Sequence, residues 1–149
     1  MNVIARWTLT LVVLAGLAID AYVHFDLASS YVGVPSPSFI TQYGLFILEA
    51  SLATAVGIAL LVRQNRITAG VAAALLGGGA LAVWVYYEYK VGKIGPIPDM
   101  SDHTWYPKPE KALSFIAELV GFVAALGLVA VLPRKAGTKN VKRASTLTG

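Results

Sequence analysis

Hydrophobic residues along the chain fall into four long segments, separated by stretches that are polar or contain proline. The segments cover residues 7–25, 39–62, 67–89 and 112–132. A helix needs about 20 mostly apolar residues to cross the hydrocarbon core of a bilayer, and each segment has close to that length or more. The pattern therefore predicts an all-α fold: an integral membrane four-helix bundle over residues 1–133, followed by a basic tail over residues 134–149.

Composition supports a membrane protein and excludes several kinds of chemistry. Of the 149 residues, 56% are hydrophobic and only 13% are charged, whereas about 25% charged residues are usual in a soluble domain. The length corresponds to a single domain. Since the chain contains no cysteine, disulfides, thiolate nucleophiles, iron–sulfur clusters and cysteine-based metal motifs are all excluded.

The distribution of charge predicts the orientation in the membrane. Lysine and arginine near the ends of spans favour the cytoplasmic side. If the chain has four spans, eight basic residues fall on one side of the membrane with no acidic residue beside them. They are Arg6, Arg63, Arg66, Arg134, Lys135, Lys139, Lys142 and Arg143. Both termini are therefore predicted to be cytoplasmic. The basic tail is expected to contact anionic lipid and not nucleic acid. A cleaved signal peptide remains an alternative interpretation of the first segment.

The two halves of the chain resemble each other. Leu45–Glu49 is followed by Gly57 and Arg63, and Ser114–Glu118 is followed at similar spacing by Gly127 and Arg134. This internal repeat predicts two related helical hairpins whose pseudo-two-fold axis lies along the membrane normal. The alternative is that any two apolar hairpins look alike.

Small residues at spacings of four mark faces on which membrane helices can approach closely. Such stripes occur in the third and fourth segments: Gly70, Ala74, Gly78 and Ala82, and Ala117, Gly121 and Ala125. We expect both faces to contact other helices.

Three carboxylates lie deep inside the predicted spans, where a charge costs about 2.5–3.5 kcal/mol even on a lenient scale. Counting residues from the basic ends places Asp20, Glu49 and Glu118 in one layer, about 21–24 Å from the cytoplasmic helix ends. His24 shares a helix face with Asp20, and Gln42 and Ser114 extend the polar surface outward. These six residues predict a polar pocket open to the outer face; the alternative is that they only fix helix register through hydrogen bonds.

Evidence for metal or haem binding in the sequence is weak. An outer site could combine His24 and His103 with three carboxylates, Asp26, Asp99 and Asp102, but these residues match no motif with recognised ligand spacing. Only one of the two histidines lies in a span, which disfavours a haem held by two histidines. We therefore predict no metal site, no required cofactor and no assignable catalytic residue.

Glu49 in the second span, Gly57 later in it and Arg63 at its end, within a four-span chain of this length, resemble the DoxX-like group of small bacterial membrane proteins. The resemblance is best over residues 39–66 and otherwise extends only to topology. It implies a four-helix membrane fold and, for some members, association with redox or quinone-linked membrane complexes.

The leading functional hypothesis is a non-enzymatic accessory subunit or small-molecule-binding membrane protein. It rests on the stripes of small residues, which favour helix contacts, and on the lack of a recognisable set of catalytic residues in the sequence. It includes assembly as a homo-oligomer or within a larger membrane complex. One alternative is a proton-linked transporter or carrier that uses the carboxylates in the spans. The other is a redox or quinone-associated subunit, which only the family resemblance favours.

Overall fold

A computed structural model describes residues 3–36, 38–88, 92–100 and 109–133. These residues form four helices: α1 (Val3–Ser29), α2 (Gln42–Val62), α3 (Arg66–Glu88) and α4 (Pro109–Val131). Each helix is long and apolar enough to span a membrane. The prediction of an all-α, four-span integral membrane bundle is confirmed, and the predicted basic tail lies outside the described residues.

Local capping determines where the helices begin. α2 starts at Gln42 and not at residue 39, because the hydroxyl of Thr41 accepts a hydrogen bond from the Gly44 N–H at 2.9 Å, as an N-cap residue does. Before α3, the side-chain oxygen of Asn65 accepts the backbone N–H groups of Ile67 and Thr68. α4 begins at a proline, a residue favoured in the first helical turn.

The helices pack in the order α2, α1, α4, α3 around the bundle. α1 contacts α2 and α4 extensively, and α3 contacts α4, whereas α2 and α3 touch far less. The Arg66 guanidinium donates to the carbonyl oxygen of Leu132 at 3.3 Å, so the start of α3 and the end of α4 lie at the same end. The core consists of aliphatic residues, including Val13, Leu17, Leu60, Leu76 and Leu128.

α1 and α4 approach each other closely enough for their backbones to touch. A Cβ atom on Gly16 would lie 3.0 Å from the Ala117 carbonyl oxygen and 3.2 Å from the Cα of Gly121. Ala117, Gly121 and Ala125 are all buried, so the predicted contact face of the fourth span is confirmed. Glycine at position 16 allows this crossing because it has no side chain.

The predicted contact face of the third span does not pack against the other described helices of this chain. Ala74, Gly78 and Ala82 are exposed, and among the described residues no atom outside the local backbone lies within 4 Å of a Cβ built on Gly70 or Gly78. The buried face of α3 carries Ala69, Ala72, Ala73, Leu76 and Ala80 instead. Small residues occur on both faces of α3, so their spacing alone does not show which face packs against the bundle.

The segment 92–100 is attached to the N-terminal end of α2. Ser38 Oγ donates to the carbonyl oxygen of Pro96 at 2.6 Å, and Gln42 Nε2 donates to the carbonyl oxygen of Asp99 at 2.7 Å. Gly95, with φ +55°, forms the turn between Ile94 and Ile97. These bonds bring the segment over the end of the bundle where α1 ends and α2 begins.

Candidate functional site

The close crossing of α1 and α4 brings two carboxylates together in the interior. Asp20 lies one turn beyond Gly16 on α1, and Glu118 lies one turn from Gly121 on α4, both toward the end of the bundle where α1 ends and α4 begins. Each of the two side chains is only 1% exposed. One ligand atom from each of Asp20, His24 and Glu118 lies within 4.8 Å of the other two. We call these three residues the buried acidic cluster.

The polar atoms of the buried acidic cluster make few hydrogen bonds. Nδ1 of His24 lies 2.9 Å from the carbonyl oxygen of Asp20 and 2.7 Å from its Oδ1. One ring N–H can point at only one of these acceptors, and the geometry favours the carbonyl. Within the described part of the chain, both carboxylate oxygens of Asp20 and Oε2 of Glu118 have no hydrogen-bond partner. Buried polar atoms of this kind are rare and call for an explanation.

Two residues hold the Glu118 side chain in place. Ser114, one turn earlier on α4, donates its hydroxyl to Oε1 of Glu118 at 3.1 Å. On the facing side of α3, a Cβ on Gly79 would lie 3.1 Å from the Glu118 carboxyl carbon and 3.2 Å from both of its oxygens. The absence of a side chain at position 79 therefore leaves the space that the carboxylate occupies.

A cavity of about 300 Å³ lies beside the buried acidic cluster, at the end of the bundle where α1 ends and α2 begins. All four helices and the segment 92–100 contribute to its wall. Most of the wall is apolar; its polar lining residues are His24, Tyr31, Gln42, Glu49, Tyr86, Lys111 and Ser114. The Phe46 ring packs against His24 and Tyr31, with centroid distances of 5.6 and 5.1 Å.

The structure separates the residues predicted for the pocket into two groups. Asp20, His24 and Glu118 form the buried acidic cluster, and Ser114 binds its glutamate. Glu49 is half-buried and lines the cavity without belonging to the cluster, and Gln42 lines the cavity while it binds the segment 92–100.

The outer metal site considered from the sequence is a different set of residues. Only His24 of that set belongs to the cluster. Asp26 is exposed, and Asp99 accepts the Gln42 amide through its backbone carbonyl. Asp102 and His103 lie outside the described residues.

Sequence reasoning missed several residues of the cavity. Lys111, directly before the fourth predicted span, is buried in the wall. It stands three residues before Ser114, and this spacing was the signal that both share a helix face. Tyr31, Tyr86 and Gly79 were also not assigned to the site.

Comparison with protein-family models finds no match, and comparisons with curated proteins and with solved structures find none either. The resemblance to the DoxX-like group therefore rests on its three residues and on the four-span layout. Functional inference depends on the geometry of this chain.

Proposed function

We propose that the protein is a non-enzymatic small-molecule-binding membrane protein whose binding site is the outer cavity. The observation that carries this proposal is a concave, mostly apolar cavity of about 300 Å³ reached by all four helices, with a few polar side chains converging on it. Ligand sites in proteins typically have this character and start at about this size. The protein acts in this role alone or as the accessory subunit of a larger complex.

The wall chemistry suits a small amphipathic molecule. Val23, Leu27, Leu45 and Phe46 provide apolar contacts for its body. Glu49 and Lys111 place groups of opposite charge in the same wall, so a ligand head that both donates and accepts hydrogen bonds finds partners there. These few polar groups orient the ligand, whereas the apolar surface supplies most of the contact area.

The loosely packed side of the bundle supports entry from the lipid phase. α2 and α3 have few contacts, and the cavity extends to Leu48 on α2 and Ala82 on α3, both of which are exposed. An amphipathic ligand dissolved in the bilayer would reach the cavity between these two helices.

The proposed orientation places both termini in the cytoplasm and the cavity on the outer side of a bacterial cytoplasmic membrane. The excess of basic residues around the α2–α3 connection and the chain ends supports it, since such residues favour the cytoplasmic side.

The proposal also includes two related helical hairpins. Glu49 and Glu118 lie on corresponding helices of the two hairpins, but Glu118 belongs to the cluster and Glu49 to the cavity wall.

A second candidate is a proton-linked carrier. It is favoured by the burial of Asp20 and Glu118 in two spans, with carboxylate oxygens that have no hydrogen-bond partner among the described residues. Ionisable groups inside a membrane span often belong to proton or ion pathways.

Photolabelling with octanol that carries a diazirine ring tests the binding proposal. The full chain in lipid nanodiscs is irradiated with the label, and modified residues are located by mass spectrometry. We expect labelling of the cavity wall, with Glu49 among the modified residues. Ala82→Phe fills the cavity from α3 and should abolish this labelling, whereas Ala74→Phe, on an exposed part of the same helix away from the cavity, should preserve it.

Two results would contradict the proposal. One is labelling spread evenly over the exposed faces of the helices, with no excess at the cavity wall. The other is cavity labelling that persists at the wild-type level in Ala82→Phe. Circular dichroism and size-exclusion profiles of both alanine variants verify that each remains folded.

A further inference from the structure

The buried acidic cluster has the composition and spacing of a metal-binding site. It combines one imidazole with two carboxylates, a mixed nitrogen and oxygen donor set that suits divalent first-row transition metals. Magnesium and calcium sites are usually built from oxygen ligands alone. The donor set therefore favours an ion such as Zn²⁺.

Distances in the cluster agree with a shared ion. Zinc binds imidazole nitrogen and carboxylate oxygen at about 2.0–2.2 Å, so two of its ligands are never more than about 4.4 Å apart. The three ligand atoms of the cluster already lie within 4.8 Å of one another. Ion binding would draw the three atoms to within about 4.4 Å of one another.

The unpartnered oxygens are the second, independent observation. Asp20 and Glu118 are each 1% exposed, and three of their four carboxylate oxygens have no hydrogen-bond partner among the described residues. When both carboxyl groups are ionised they carry two negative charges, and a divalent cation between them balances both. Balancing such charges in the interior of a span is favourable.

We propose that Asp20, His24 and Glu118 bind one divalent transition-metal ion, of the Zn²⁺ class, at the floor of the outer cavity. Ser114 orients Glu118 from outside the ligand set through its hydrogen bond to Oε1, as supporting residues commonly do around metal ligands. Because His24 and Ser114 also line the cavity, the remaining coordination positions of the ion face it. The inference goes beyond small-molecule binding and does not depend on it.

Zinc titration of the intact protein tests this site. The full chain carries a tag without histidine, is purified in detergent, stripped with a chelator, and titrated with Zn²⁺ against a chromophoric competitor. We expect one Zn²⁺ per chain. Asp20→Asn, His24→Gln and Glu118→Gln should each weaken zinc affinity by about tenfold or more, since even supporting residues contribute about 10–100-fold.

Glu49→Gln is the matched control. It removes a carboxylate from the wall of the same cavity but from outside the cluster, so its zinc affinity should fall by less than that of any cluster variant. Equal affinity in all four variants would overturn the proposal, because the ion would then bind elsewhere on the chain. Stoichiometry far below one ion per wild-type chain would also overturn it and would favour a proton shared by the carboxylates.

A second test uses only the wild-type chain, so it does not depend on whether the cluster variants fold. Diethylpyrocarbonate modifies accessible imidazoles, and mass spectrometry distinguishes His24 from His103. Bound Zn²⁺ should slow the modification of His24 and leave that of His103 unchanged. Equal protection of both histidines, or of neither, would contradict the proposed site. Neither result affects the photolabelling of the cavity, so failure of this proposal is distinguishable from failure of small-molecule binding.

Discussion

Replacing Gly16 by alanine tests the backbone contact between α1 and α4. The new Cβ would lie 3.0 Å from the Ala117 carbonyl oxygen and 3.2 Å from the Gly121 Cα, both closer than the 3.4–4 Å of ordinary contact. These are backbone atoms, so they cannot rotate away as a side chain would. The two helices must separate, and overpacking of this kind typically costs about 1–3 kcal/mol.

Gly78→Ala is the control for this substitution. It places the same methyl group on α3, where among the described residues no atom outside the local backbone lies within 4 Å of the new Cβ. Both variants gain the higher helix propensity of alanine, worth about 0.8–1.0 kcal/mol in a helix interior. The difference between them isolates packing, and we expect Gly16→Ala to be less stable than Gly78→Ala by about 1–3 kcal/mol.

The assay is reversible unfolding of the full chain in mixed micelles, followed by circular dichroism. The free energy of unfolding is compared among the wild type and the two variants at one detergent composition. Equal stability of the two variants, or a more stable Gly16→Ala, would refute the inference that the α1 and α4 backbones are in contact.

Two further predictions concern topology and the outer segment. A reporter fused after Gly149 should be cytoplasmic and one placed near Gly33 should be external; an external C-terminus would contradict the four-span orientation. Gln42→Ala removes the hydrogen bond to the Asp99 carbonyl, worth about 0.5–1.5 kcal/mol, so hydrogen exchange in residues 92–100 should accelerate by about two- to tenfold. Gln64→Ala, in the connection at the other end of the bundle, is the control, and equal exchange in both variants would argue against this attachment.

Hydropathy predicts the number of spans well because the bilayer requires every span to be long and apolar. It predicts helix ends less well, since these depend on hydrogen bonds. α1 continues to Ser29, four residues past the predicted apolar boundary, because polar residues near a membrane surface can remain helical. The start of α2 depends on the Thr41 cap, which a hydropathy pattern does not contain.

The position of the carboxylates along each helix can be predicted from the rise per residue. Which of them meet depends on which helices are neighbours and how each is rotated about its axis. The contact between Asp20 and Glu118 requires α1 beside α4, and no local spacing shows this adjacency. Gly16, one turn before Asp20, was the available signal of a close helix crossing, and it was not recognised.

The pairing of α1 with α4 has a consequence for the biogenesis of the protein. Asp20 and Glu118 are separated by about a hundred residues, which a ribosome adds in roughly 5–20 s. During that interval α1 has already been synthesised, while the helix that encloses its aspartate has not. Asp20 and His24 then rely on α2, the hairpin partner of α1, or on the insertion machinery to shield them from lipid. Release from that machinery is therefore coupled to the arrival of the final helix.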